Sequence, residues 1–363
     1  MKKILLFIDE LGSGGAQRQI VALAKQLKLR GYDVFLLDYW DNPFYDKELS
    51  SLGIPYKHAL TKGKLAIIKM FRNFVKQYKP DVVISYMENP SVVACITKAS
   101  ISWKFKLIVS ERNTTQDNNW RVWLRFQLFR LADYVVPNSI SQREFIAQYY
   151  SFLSSKTHTI QNFVDTNRFS PSSKRVDEQN NNVLRGLIVG RIVEQKNVLR
   201  FLEALALLRD RGLKVSFEWY GKPYPQSYYD ECVDCVKKNN LEEYITFHSP
   251  SNDIVSKYLK VDFFVLPSIY EGFPNVLCEA MSCGLPVIAG NVCDNARIMK
   301  DGVNGYLFDP YSISDMADKI GKLLMLEKKD LKVMGDRSRG IAVNVFSKEK
   351  FTNEYVNLIE TEA

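Results

Sequence analysis

The chain has 363 residues, 46% hydrophobic and 25% charged, with a formal net charge of +8. This length and balance fit a soluble globular protein of two ordinary domains and exclude a disordered or fibrous one. Apolar runs such as 263–266 and 184–189, the latter interrupted by Arg185, fall far short of the roughly 20 residues a membrane-spanning helix needs, so none is expected.

The opening residues 1–8 briefly imitate a signal peptide, but Asp9 and Glu10 end the apolar stretch. A first buried strand and a cytoplasmic protein are the expectation. Six cysteines, Cys95, Cys232, Cys235, Cys278, Cys283 and Cys293, are spread along the chain, unlike a disulfide framework. Cys232 and Cys235 form a C-x-x-C inside an expected helix with no second pair beside it, and His58, His158 and His248 are isolated from one another. No metal site is expected.

In chain order, apolar runs at 4–8, 34–38, 82–86, 106–110 and 134–137 read as short buried strands. Helical patterns at 16–30, 65–78, 92–98 and 119–132 alternate with them, and Gly31 stands where a left-handed helix end wants glycine. A polar stretch, 169–182, is a linker separating a first domain, 1–168, from a second, 183–345, with the last helix, about 346–363, expected to return to the first. The second series runs through strands at 183–189, 215–220, 245–248, 263–267 and 287–289 and helices at 198–209 and 228–239. The alternation implies an α/β fold of two Rossmann-like, doubly wound parallel sheets, with ligand at the strand C-termini in an interdomain cleft.

Three stretches carry chemistry. In 267–288 a strand ends, a loop carries Glu271, and a helix opens near Pro274, a residue suited to a first turn. Asn275 and Glu279 share a helical face, while Val276, Leu277, Ala280 and Met281 are expected to pack on the sheet. Free N–H groups at such a helix start, with Gly272 allowing close approach, suit an anionic or hydroxyl-rich ligand. In 189–197 a strand feeds Gly190, and Arg191 and Lys196 lie five residues apart, a bidentate donor and a mobile point charge fit for a diphosphate. In 12–18 a glycine loop with Gly14 and Gly15 follows the first strand, but its spacing is not the G-x-G-x-x-G of a dinucleotide site.

E-G-F-P-N-V-L-C-E followed by A-M-S-C-G-L-P-V-I resembles the donor-site signature of retaining glycosyltransferases of family GT4, with the GT-B fold. The likeness implies that Glu271 contacts hydroxyls of the transferred sugar and Glu279 the ribose. Gly272, Phe273, Pro274, Asn275 and Val276 would line the sugar and phosphate through their backbone. Arg191 and Lys196 match a G-R-x-x-x-x-K-N element that neutralises the donor diphosphate in place of a metal. Gly12 to Arg18 resembles a G-G-x-E-R loop with Gln17 where Glu is usual, and Arg112 stands where a histidine is frequent, beside Asn113. Asn138 lies in an N-S segment near the crossing between domains, and Tyr220, Gly221 and His248 stand where loops meet the nucleotide base.

The resemblance thus implies transfer of a hexose or N-acetylhexosamine from a nucleotide sugar, UDP by family habit, without cofactor. A polyprenyl-diphosphate-linked glycan of bacterial surface polysaccharide or glycoprotein synthesis is the expected acceptor. A sugar-nucleotide epimerase or a non-catalytic nucleotide-sugar-binding subunit is the alternative. Residues 1–168 hold 24 Lys and Arg against 14 Asp and Glu, the remainder 25 against 27. With the basic amphipathic stretch 62–79 and the aromatic one 120–130, that asymmetry points to peripheral contact with anionic lipid at the inner face of the cell membrane. No recognition motif supports nucleic acid.

Overall fold

Short β-branched and aromatic runs become strands because both of their faces are buried, and the polar-faced segments between them become helices that cover those faces. The structure, a computed structural model, describes residues 1–172 and 183–361. The expected linker therefore lies largely outside the described residues. The chain divides into two compact units, residues 1–163 with 348–363, and residues 164–347.

The first unit runs β1 (Lys3–Phe7), α1 (Gly15–Leu29), β2 (Asp33–Asp38), α2 (Asp46–Ser51), β3 (Tyr56–His58), α3 (Lys64–Tyr78), β4 (Val82–Tyr86), α4 (Glu88–Ser100), β5 (Lys106–Glu111), α5 (Trp120–Leu128), β6 (Tyr134–Pro137) and α6 (Ile140–Tyr149). Its sheet is parallel in the order β3-β2-β1-β4-β5-β6. Gly31, at φ +85, follows the last residues of α1 and turns the chain back towards β2.

The second unit runs β7 (Leu184–Val189), α7 (Val198–Asp210), β8 (Val215–Tyr220), α8 (Gln226–Lys238), β9 (Ile245–His248), α9 (Ile254–Leu259), β10 (Phe263–Leu266), α10 (Asn275–Ser282), β11 (Val287–Gly290), α11 (Asn295–Ile298), β12 (Gly305–Phe308), α12 (Ile313–Leu324) and α13 (Lys328–Val345). Its parallel order, β12-β11-β10-β7-β8-β9, repeats that of the first sheet. Each sheet is doubly wound, and its strand order reverses at one point, between β1 and β4 in the first and between β7 and β10 in the second. Ligands bind such sheets beyond the strand C-termini at that reversal. A final helix, α14 (Lys348–Glu360), belongs to the first unit. There Phe351, Tyr355 and Ile359 join the core of β1, β4 and α1.

The expected lipid-facing stretch 62–79 is corrected by the packing of α3. Phe71 and Val75 are buried, and Ile67, Ile68, Met70 and Phe74 pack on the same core. Most of the apolar face of α3 covers the sheet, and beside its lysines only Leu65, 84% exposed, is left as a large apolar side chain for lipid. On α5, by contrast, Phe126 is buried while Trp120 and Trp123 are 68% and 55% exposed. Among the described residues no helix is long and apolar enough to cross a membrane.

Candidate active site

The second sheet's reversal point is where the charged motifs emerge. β7 leads into Gly190, Arg191 and the turn 193–197, and β10 leads into the loop carrying Glu271. The loops are joined by the Ile269 N–H donating to the Gln195 carbonyl at 3.0 Å and Gln195 Nε2 donating to the Tyr270 carbonyl at 2.9 Å. A third link is ionic. Lys196 Nζ lies 2.5 Å from Glu271 Oε1, with the two side chains only 14% and 10% exposed. A pair so shielded is strongly coupled, because removing either partner strands the other charge away from water. Arg191, exposed on the same turn, has no ion-pair partner among the described residues.

Asn197 closes the turn. It adopts left-handed backbone at φ 60, which Asn tolerates better than most residues. Its buried amide donates to the Pro267 carbonyl at 3.1 Å and the Pro310 carbonyl at 2.7 Å. One side chain thereby ties the Lys196 turn to the ends of β10 and β12.

Two glycines let the neighbouring loops close in. A Cβ on Gly221 would collide with the Gly190 carbonyl oxygen, and one on Gly190 would crowd the Lys196 stem. That carbonyl also accepts a hydrogen bond from Trp219 Nε1 at 2.8 Å. At the ends of β8 and β9 the Tyr220 and His248 rings stack at 4.5 Å and 14°. Tyr220 donates its hydroxyl proton to Glu218 at 2.8 Å, and burial helps push that phenol up to about 12. His248 Nε2 is buried with no hydrogen-bond partner among the described residues. Such a group accepts or donates to whatever ligand reaches it.

On α10, Glu279 is 4% exposed, and every residue from Leu277 to Ser282 is buried. Helix α13 packs against α10, so the helix has little open surface. The Tyr258 hydroxyl lies 3.2 Å from both Glu279 Oε2 and the Val276 carbonyl. Val276 is only half-buried, and Phe273 turns its ring into the core against Phe346. Phe273 therefore has only its backbone for a ligand. The Asn275 N–H is taken by the Phe273 carbonyl at 2.9 Å, and Gly272 and Pro274 complete the helix entry.

The first unit places its expected residues at the C-termini of β1, β5 and β6. Gly14 and Gly15 open α1, and the buried Gln17 folds over Gly14. Arg112 is buried against the Tyr86 ring at 3.8 Å. It donates from Nη1 to Asn162 at 2.8 Å and from Nη2 to the Tyr355 hydroxyl at 2.5 Å. Nη2 thus braces α14 while Nη1 holds the loop at Asn162, and among the described residues Nε has no hydrogen-bond partner. Asn138 donates to the Arg112 carbonyl at 3.3 Å, its own Oδ1 buried and without a hydrogen-bond partner among the described residues, whereas Asn113 is exposed.

Sequence reasoning missed the bracing residues Gln195, Asn197, Tyr258 and Cys293. Gln195 and Asn197 stood inside the quoted motif, but their partners are distant in sequence. Cys293 gave no signal beyond its residue type.

Family models match nearly the whole chain. Glycosyltransferase Family 4 matches residues 13–168 and Glycosyl transferases group 1 residues 171–340. An uncharacterized glycosyltransferase of Haemophilus influenzae is 25% identical, covering 99% of this chain and all of that protein. The N-acetylgalactosamine-N,N'-diacetylbacillosaminyl-diphospho-undecaprenol 4-alpha-N-acetylgalactosaminyltransferase of Campylobacter jejuni is 25% identical, over 98% of each chain. Among solved structures, Anabaena HepE in complex with UDP and glucose superposes with a TM-score of 0.87 at 20% identity, covering 98% of this chain and 99% of that one. Likeness of fold, motif and full-length relatives converge, and the chain belongs to the group 1 glycosyltransferases of the family 4 type.

Proposed function

We propose that the protein transfers a hexose or N-acetylhexosamine from a UDP-sugar to a polyprenyl-diphosphate-linked glycan, with retention at the anomeric carbon. The observation that carries this reading is the Lys196–Glu271 pair at the reversal point of the second sheet. It sets a mobile cation for phosphate beside an acid for sugar hydroxyls, and the exposed Arg191 adds a bidentate donor on the same turn. In this reading the diphosphate draws Lys196 away from Glu271, freeing the carboxylate to accept from the sugar. Glu279 takes the ribose hydroxyls, and the Tyr220–His248 stack meets the base.

As the glycosidic bond breaks, negative charge grows on the departing phosphate, where Arg191 and Lys196 stabilise it without a metal. The incoming hydroxyl gives its proton to that phosphate on the same face of the sugar. Undecaprenol-linked acceptors in the name of the Campylobacter relative support the acceptor class. The exposed tryptophans of α5 support work at the inner membrane surface.

A thermal-shift screen of sugar nucleotides in EDTA tests the donor. One UDP-sugar is expected to stabilise the wild type, and Lys196→Ala is expected to weaken its binding about 10- to 100-fold, the loss of charge-assisted hydrogen bonds. Equal stabilisation of the variant, or an inverted linkage in the product by NMR, overturns the reading.

A further inference from the structure

The loop between β11 and α11 is pinned on both sides. Asn291 N–H donates to the Phe308 carbonyl at 2.7 Å, Val292 N–H to the Gly290 carbonyl at 2.9 Å, and Asn295 N–H to the Val292 carbonyl at 3.0 Å. The buried Asn295 amide adds a bond to the Gly290 carbonyl at 2.9 Å. In the middle stands Cys293 at φ 48, a backbone region that side chains with a Cβ rarely occupy and that glycine enters freely. The turn alone gives no reason for a cysteine. The side chain reaches across the loop: Cys293 Sγ accepts a hydrogen bond from the Glu271 N–H at 3.4 Å, across 22 residues of sequence.

Glu271 is then held at three points. Its carboxylate meets Lys196, the carbonyl before it is gripped by Gln195, and its amide is received by the thiol. Strained backbone persists where surrounding structure over-determines it, and such strain gathers at functional sites. We propose that Cys293 is a positioning residue for Glu271, fixing from behind the acid that meets the transferred sugar. The inference rests on the reading of Glu271 given above. It predicts a separation of roles, because the thiol acts on the sugar-side acid and the diphosphate is held by Arg191 and Lys196.

The test compares Cys293→Ala and Cys293→Ser with the wild type. Nucleoside diphosphate release is followed from whichever sugar nucleotide most stabilises the wild type, and UDP binding is measured by calorimetry. Cys293→Ala keeps the Cβ and loses the acceptor, so kcat is expected to fall about 10-fold, with UDP affinity within about threefold, as for a misplaced reacting group. Serine restores an acceptor and is expected to recover most of the rate. An unchanged kcat in Cys293→Ala, a serine variant as slow as the alanine one, or parallel loss of rate and UDP affinity overturns the proposal. Glu271→Gln in the same assay separates the two readings. If it keeps full rate, the role of Glu271 falls and the proposal with it. If it is slow while Cys293→Ala is not, the thiol's role alone falls.

Discussion

Asn197 illustrates how a single amide can hold a site together. Its left-handed backbone would accept glycine, but its NH2 group serves two buried carbonyls, 70 and 113 residues away in sequence. Asn197→Gly therefore keeps the turn's conformation and leaves both acceptors unsatisfied. We expect the second unit to lose about 1–3 kcal/mol in chemical denaturation, the usual cost of stranding buried polar groups. The Lys196 turn would relax with it and UDP binding would weaken. An unaltered midpoint would show that the carbonyls find other partners. The same residue marks the limit of what could be read beforehand. Arg191, Lys196, Glu271 and Glu279 declare themselves by charge and spacing, since residue type alone states what they can bind. Asn197, Gln195 and Cys293 act through partners that only the folded sheet brings near, and no local spacing encodes those partners.

At the scale of elements, α5 shows a helix tied down by charge. Asn119 caps it, accepting from the Arg121 and Val122 N–H groups at 3.0 and 3.2 Å. Inside, Arg125 lies 2.6 Å from Glu88 and 3.4 Å from the fully buried Glu111, and donates to Thr115 at 3.0 Å. Gln142 of α6 donates to the same Glu111 carboxylate at 3.3 Å, so one acid joins β5, α5 and α6. That role explains why α6 escaped the sequence reading: its inward face carries Gln142 and Ile146 in place of an apolar stripe. Strands β3 and β12 were missed for another reason: each lies at the edge of its sheet, the first three residues of part-exposed Tyr, Lys and His and the second opening on Gly305. The longer buried strands were legible because burial on both faces demands unbroken apolar runs.

Burial pushes Glu111 up to about 7, against the opposing pull of Arg125, with Glu88 adding to the rise and Gln142 countering it. The folded protein thus holds this proton to higher pH than the unfolded chain, where the carboxyl titrates near its ordinary value. Its contribution to stability is full below about 4.5 and lost as pH rises through about 7, on the order of 3 kcal/mol at most. Asp38, also raised to about 7 by burial beside His58, adds a slope of the same sign. Glu111→Gln is therefore expected to flatten, without abolishing, the decline of first-unit stability from about pH 5 to 8. Parallel curves for variant and wild type would contradict the protonated state.

Over the whole molecule the charge is divided between the units. The first holds 25 Lys and Arg against 17 Asp and Glu, and the second 24 against 24, so the excess of +8 belongs to the first alone. Uniform positive charge attracts anionic surfaces of any kind, and by itself selects none. What distinguishes lipid is an apolar group that enters it. On α5, Trp120, Trp123 and Leu124 stand exposed with the Arg121 guanidinium 5.5 Å over the Trp120 ring, an aromatic and cationic pairing suited to the headgroup layer. The lysines of α3 supply charge with little insertion, since most apolar residues of that helix pack on the core and Leu65 alone among the large ones stands well exposed. Two separable terms follow, one screened by salt and one not. The wild type is expected to float with phosphatidylserine-containing vesicles at low salt and to be largely released at about 0.5 M NaCl, where the screening length is only a few ångströms. Removing both indoles in Trp120→Ala/Trp123→Ala should lower vesicle partitioning about 10-fold or more at low salt while leaving the net charge unchanged. If the double variant floats as well as the wild type, charge alone accounts for the attraction and α5 is not the docking element. If neither floats, the basic excess faces some other acidic partner.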